Sequence, residues 1–375
     1  MDTTDFSGET LTTLDPLSSQ YLPKELDKDL SFLLRREIYH PLSQIGIPAA
    51  LRCEFVARQL GASLPSLLGR LERLLVEGHF LLGAHLSGDI LTSSLVSPTD
   101  YKTIFALFYT RLACLELSGN ALFASQESKA LEDLSSAFYC VTPPDEMTDS
   151  RADYPRHIAP WPLRVLAVRL QCIGFGDSRR GIGGLYELGM EARREILRPD
   201  IPQAERDMWK ERLADLGIRN VNMLIEMGDF DTARRSLSSL KTAGAGPVRK
   251  IRKVLLFLKI GDLGAARRVF DDASCHDDEE PSTAILKPLL SMADGRFADS
   301  VTEWRSLLKT ESRSAEEAVF AQNLAVCLLY TDQLNEVCLF NPHEERNERS
   351  AHPILLLRHG YSWSRWFPKT TPLQV

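Results

Sequence analysis

The sequence predicts an all-α chain, an α-solenoid of stacked helix–turn–helix repeats. Three observations carry that expectation. The phrase GDFDTARRSL at 228–237 returns as GDLGAARRVF at 261–270, 33 residues later. Each copy follows an apolar stretch with helical character, VNMLIEM before Gly228 and VLLFLKI before Gly261. Alternating strand patterns are scarce along the whole chain. A recurring phrase at this distance marks a repeat of two helices, each repeat burying its apolar face against the next.

The register extends beyond two copies. It points on to Gly295 in GRFADSVTEW and, more weakly, to Asp332 in YTDQLNE. Two residues past each anchor stands an apolar side chain: Phe230, Leu263, Phe297 and Leu334. Five past it stand Ala233, Ala266, Ser300 and Val337, and nine past it Leu237, Phe270 and Trp304. A glycine just beyond a helix end adopts positive φ at little steric cost and turns the chain. The small residue lets two helix backbones approach, and the large one fills the gap between neighbouring repeats. This order is the second half of the tetratricopeptide pattern. The first half is degenerate: Ala325 suits the small first-helix position, whereas Val221, Val254 and Pro288 do not.

Taken in chain order, the remaining elements follow from composition. Residues 1–22 open with MDTTDFSGETLTTLD; they are polar, lack the character of a secretory leader and are expected to be disordered. Residues 23–141 read as an irregular helical region, in which YKTIFALFYTRLACLELSGNALF (101–123) is an apolar helix closed near Gly119. The Pro- and Asp-rich stretch 142–160 reads as a linker. Residues 161–336 are expected to hold the tetratricopeptide-like repeats. They open with WPLRVLAVRLQCIGFGD (161–177), followed by the amphipathic stretches YELGMEARREIL (186–197) and ERDMWKERLADLGIRNVNMLIEM (205–227). HDDEEPS (276–282) reads as an acidic inter-repeat loop. Residues 337–375 break the pattern: Asn341 and Pro342 stand where an apolar helix position belongs, and Pro353, Pro368 and Pro372 accompany Trp363 and Trp366. A solenoid end needs a polar-faced repeat, so this tail is expected to be aberrant, from a mis-spliced or mispredicted exon.

Composition excludes several classes. A net charge of −7 argues against a general binder of nucleic acid or of acidic membranes. Seven scattered cysteines without a CxxC pair read as reduced thiols of a cytosolic protein. No apolar run reaches the roughly 20 residues needed to cross a bilayer. The glycines of GFGDSRRGIGG (174–184) match no dinucleotide fingerprint and read as a flexible inter-helix turn. There is no phosphate-binding loop and no HExxH; Cys275 and His276 beside Asp277 and Asp278 read as a solvated loop. No catalytic residue, cofactor, metal or small-molecule substrate is implied.

Two surface features admit a functional reading. RKIRK places Arg249, Lys250, Arg252 and Lys253 at a helix start, either as a solvated face opposite VLLFL or as a groove for an acidic partner segment. Arg193, Arg194, Arg234, Arg235, Arg267 and Arg268 fall in repeat register as a ladder. That ladder either pairs with Asp229, Asp231 and Asp262 or lines a partner surface. Trp209 and Trp304 read as core wedges.

Two longer phrases carry a resemblance. HIAPWPLRVLAVRLQCIGFGD (157–177) and QNLAVCLLYTDQLNE (322–336), with the preceding helix ALFYTRLACLELSG (106–119), resemble the family of subunit 12 of the TRAPP complex, the trafficking protein particle tether. Members carry a C-terminal tetratricopeptide region with a helix near IP-Y/W-xLRxLxAxL and a last repeat reading NNAAVCLLYxGKL. Here Asp332 replaces the glycine of that last motif. The similarity spans roughly residues 100–336, and its motifs are packing signatures. It implies a non-catalytic scaffold of TRAPP III, an exchange-factor complex for Rab GTPases in endoplasmic reticulum-to-Golgi transport and autophagy. The partners would be other TRAPP subunits, and the location cytoplasmic, peripheral to ER–Golgi membranes. The alternative is a free-standing peptide-binding tetratricopeptide co-factor, associated for example with a chaperone. The apolar first-helix faces VNMLIEM and VLLFLKI disfavour it, because such modules line their grooves with Lys and Asn.

Overall fold

The structure is a computed structural model that describes residues 14–15, 22, 28–47, 49–52, 63–141, 156–199, 201–240, 247–274, 284–310 and 314–333. It is almost wholly helical among these residues, and the described chain forms two units, Met1–Leu213 and Ala214–Val375.

In the first unit, single-turn helices between 31 and 51 precede α1 (Leu64–Val76), α2 (Phe80–Leu91), α3 (Tyr101–Leu117) and α4 (Ala121–Ser128). A two-residue antiparallel ladder pairs β1 (Cys140–Val141) with β2 (Arg156–His157), and α5 (Trp161–Phe175) and α6 (Ser178–Leu197) follow. The next helix, α7 (Gln203–Glu226), begins in this unit and continues into the second. Each helix from α1 to α5 packs on its successor, and α3 also reaches α5. The division between the two units falls inside α7, and residues 142–155 of the expected linker lie outside the described residues.

The helix α3 is apolar on nearly every side because it is the centre of this unit. Ile104, Phe105, Leu107, Phe108, Leu112 and Leu115 are all buried, and Asp100 caps its start by accepting from the Thr103 amide. One cation lies inside this core. Arg111 donates from Nε and Nη2 to the two carboxylate oxygens of Glu127 in α4, at 2.8 and 2.7 Å. Its remaining donors reach the carbonyls of Ala84 in α2 (2.8 Å) and His40 (2.9 Å). A buried charge persists only when paired and hydrogen-bonded, and here one guanidinium ties three segments together.

In the second unit, α8 (Phe230–Ser239), α9 (Pro247–Ile260), α10 (Leu263–Ser274), α11 (Leu286–Ala293), α12 (Phe297–Thr310) and α13 (Ser314–Tyr330) follow α7. Neighbours pack as α8 on α9, α9 on α10, α11 on α12 and α12 on α13, and α11 also contacts α9 and α10. This sequential packing of adjacent helices is solenoid-like.

The repeat glycines produce the turns. Gly228, Gly261 and Gly295 sit at φ +80°, +85° and +77°. Each closes its helix with the same pair of hydrogen bonds: Gly228 N–H donates to the Ile225 carbonyl and Asp229 N–H to that of Leu224, both at 3.0 Å. This is a Schellman closure, which satisfies the last carbonyls of the helix. Asp332 takes the same conformation, φ +57°, without the freedom of glycine. The turn also occurs at Gly78, Gly119 and Gly176, so the region 23–141 shares the helix–turn–helix grammar of the later chain.

Of residues 1–22 only 14, 15 and 22 are described; Asp15 and Leu22 are buried, and Asp15 pairs with the partly buried Arg212. One expectation needs correction. The segment GFGDSRRGIGG is not a flexible turn. Only Gly176 and Asp177 form the turn, and Gly181, Gly183 and Gly184 lie within α6. A side chain at Gly184 would approach Val168 to 2.9 Å, so the glycine allows α5 and α6 to pack closely. The tail 337–375, together with Leu334, Val337, Cys275 and 276–282, lies outside the described residues.

Candidate interaction surface

The repeat positions divide into core and rim. At the small position, Ala233, Ala266 and Ser300 are fully buried. Ser300 brings a hydroxyl into that space and satisfies it, donating to the Pro288 carbonyl at 3.0 Å while the Cys327 thiol lies 3.4 Å from the oxygen. At the large position Leu237 and Trp304 are fully buried, Trp304 beside Phe320 with its indole N–H toward the Met292 sulfur. Phe270 is only half-buried, so the wedge is incomplete in the middle copy. The apolar residues two past the glycine form the rim: Phe230 is exposed, Leu263 is half-buried, and Phe297 stacks on Tyr330 with ring centroids 4.3 Å apart.

Aspartates follow two of these glycines and play a part that the sequence reading missed. Asp229 accepts from the Thr232 amide (3.1 Å) and Asp262 from the Ala265 amide (3.0 Å), so each caps the next helix. Gly–Asp therefore closes one helix and opens the next within two residues. The visible signal was the acidic residue at the first helical boundary after each glycine.

The arginine ladder is paired at two of its rungs. Arg234 of α8 reaches Asp262 at the turn before α10 (3.2 Å), and Arg267 of α10 reaches Asp294 at the turn before α12 (2.5 Å). Asp294 also holds Arg296 (2.8 Å), and these two cations keep its carboxyl below the usual carboxylate range. Arg235 donates to the Thr232 hydroxyl.

The basic stretch of α9 does not form one cationic face. Lys253 is buried, and its Nζ donates to the carbonyl of Leu240 (2.5 Å), the extended residue that follows α8. This hydrogen bond satisfies the ammonium at a buried position, while burial depresses its pKa. Lys253 therefore ties the segment after α8 to α9 and does not belong to an exposed basic surface. Arg252 is exposed but lies 3.6 Å from Asp215 of α7, which also holds Arg219. Arg249 and Lys250 are half-buried and, among the described residues, have no carboxylate partner.

The exposed apolar surface lies elsewhere. On α6, Tyr186, Met190 and Leu197 are 55%, 57% and 80% exposed. Their spacing of four and seven residues lines them up on one helix face, next to exposed Arg193 and Arg194. Sequence reasoning treated this segment only as amphipathic, because periodicity does not say which face meets a neighbour. No group of three His, Cys, Asp or Glu side chains suited to a metal occurs among the described residues, and none of the described helices is long and apolar enough to cross a membrane. The described cysteines Cys114, Cys140, Cys172 and Cys327 are free thiols, and burial pushes that of Cys114 up to about 12. Compared with protein-family models, curated proteins and solved structures, the chain finds no match.

Proposed function

We propose that the chain is a non-catalytic scaffold subunit of a TRAPP III-type vesicle tethering and Rab exchange-factor complex. In this role it would be cytoplasmic and peripheral to ER–Golgi membranes, held there through other subunits. The adaptor part of this reading is carried by the line Tyr186–Met190–Leu197 on α6, three large apolar side chains left in solvent on one face. The choice of complex comes from the two family-like phrases. Their residues are core residues here: Trp161, Leu163, Leu166 and Leu170 in α5, and Leu324, Cys327 and Leu328 in α13. A family signature made of packing residues speaks for a shared fold, and the adaptor role follows by analogy with that family.

The test is affinity purification of the tagged chain from its own cells, for the native chain and for Met190→Glu/Leu197→Glu. Recovery of TRAPP subunits in near-equal amounts with the native chain, and their loss with a variant that still folds, supports the reading. Recovery of chaperones alone favours the peptide-binding co-factor. Charge reversal at Arg249 and Lys250 tests the remaining basic pair in the same assay.

A further inference from the structure

The start of α5 lacks a cap of its own. Its boundary reads Pro160-Trp161-Pro162, and Pro160 offers no side-chain oxygen to the first amides. The Trp161 amide is therefore an orphan donor, and it is satisfied from 146 residues away: it donates to Asp15 Oδ2 at 3.0 Å. The other carboxylate oxygen accepts from Arg212 Nη2 of α7 at 2.5 Å. Arg212 lies over two indoles, 5.1 Å from the Trp161 ring centroid and 4.5 Å from that of Trp209. The rings meet edge to face at 5.4 Å and 88°. Arg164 stands over the same Trp161 ring and is held by Glu191, its Nη1 donating at 2.8 Å. Asp15 itself is 7% exposed.

These groups form a built receptor for a carboxylate. A helix-terminal amide and a guanidinium converge on the two oxygens, and the indoles hold the guanidinium plane by cation–π contact while excluding water. We propose that the Trp161–Arg212–Trp209 cluster is a docking site for an aspartate in an acidic peptide segment, filled in cis by Asp15. The hydrogen bonds from the Trp161 amide and Arg212 are both accepted by side-chain oxygens of Asp15, a key that another aspartate can reproduce. Its own segment has the advantage of covalent attachment, which raises its effective concentration above that of a free peptide. A partner segment of the same chemistry displaces it once it exceeds that advantage. This inference does not depend on which complex the chain joins.

The experiment uses the full chain and a synthetic peptide of residues 9–20, ETLTTLDPLSSQ. Isothermal calorimetry compares the native chain with Asp15→Ala, and with the isosteric Asp15→Asn in case the alanine variant does not fold. The emptied site binds the peptide at least about tenfold more tightly than the native chain does. A peptide carrying Asp15→Asn loses about tenfold or more, as expected for a lost hydrogen bond to a charged group. Equal affinity of the native and emptied chains overturns the proposal, as does equal binding of the two peptides. Absence of binding to both emptied variants up to about millimolar peptide also overturns it and leaves Asp15 as a fixed cap.

Discussion

Arg267 of α10 reaches Asp294 at the following turn (2.5 Å), and one repeat earlier Arg234 of α8 reaches Asp262 in the corresponding way (3.2 Å). The ladder of charges thus links the second helix of one repeat to the turn of the next. Both arginines are more than two-fifths exposed, so solvent screens these pairs. Arg267→Ala and Arg234→Ala are expected to shift the urea midpoint only slightly, and the shift should vanish in molar salt. A large, salt-independent loss would mean that the ladder, not the apolar core, holds the repeats together.

The small position should be far less tolerant. Ala266 has no exposed surface, so Ala266→Leu forces α9 and α10 apart and is expected to cost about 1–3 kcal/mol. Ser300→Ala at the equivalent site should be nearly neutral, since Pro288 loses one donor to a carbonyl already within a helix. Equilibrium denaturation of the two variants measures the contrast. Similar costs for both would contradict the register.

Left-handed backbone distinguishes the anchors from one another. Gly261→Ala, at φ +85°, is expected to lose about 1–2 kcal/mol because Cβ crowds the following carbonyl. Asp332→Gly, at φ +57°, should instead raise thermal stability by about 0.5–1 kcal/mol, offset in part by the greater freedom of the unfolded chain. Calorimetry on both variants checks the opposite signs.

The buried ion pair of the first unit should be intolerant of half-removal. Glu127→Gln strips Arg111 of its counter-charge at a site where both side chains are almost wholly inaccessible. The expected loss is about 3–5 kcal/mol. A double change, Arg111→Met with Glu127→Gln, should recover part of it, because no uncompensated charge remains. A double-mutant cycle by chemical denaturation reads the coupling directly.

His157 makes acid stability a local matter. Burial pushes its pKa from 6.5 down to about 4, and the Arg164 cation adds to this, against the opposing Leu134 carbonyl and the Glu191 carboxylate. The unfolded chain therefore takes up a proton near pH 6.5, whereas the folded chain resists it until near pH 4. Stability from the neutral ring is fully present above about pH 6.5 and falls as pH drops through this window. Thermal melts between pH 4 and 7 should show that slope, and His157→Gln should flatten it. An unchanged slope in the variant would assign the acid sensitivity to other groups.

How much of this was legible beforehand differs by element. Helices and their stops could be read from local signals, because 3.6-residue periodicity and a glycine at the end act within a few residues of chain. Gly228, Gly261 and Gly295, the small residues five positions on, and the wedges Leu237 and Trp304 belong to this class. The helix stop at Gly119 was read in the same way, whereas the turn at Gly78 was passed over because no copy of the repeat phrase accompanies it, although the small residue five beyond is present as Gly83.

What sequence by itself determined is therefore the helical class, the turn grammar and the spacing of small and large core positions. Tertiary structure alone decided which side chain meets which across long separations. Lys253 sits in a cationic run, yet it is buried because the residue following α8 arrives beside it. Tyr186, Met190 and Leu197 stay in solvent, though their hydrophobicity alone would place them inside. Asp15 lies in a polar segment without helical periodicity, but an uncapped amide at Trp161 and a cation at Arg212 converge on it across 146 and 197 residues of chain. The physical reason is common to all three. Propensity and capping are energies of adjacent residues, whereas desolvation and charge pairing depend on neighbours that only the folded chain supplies.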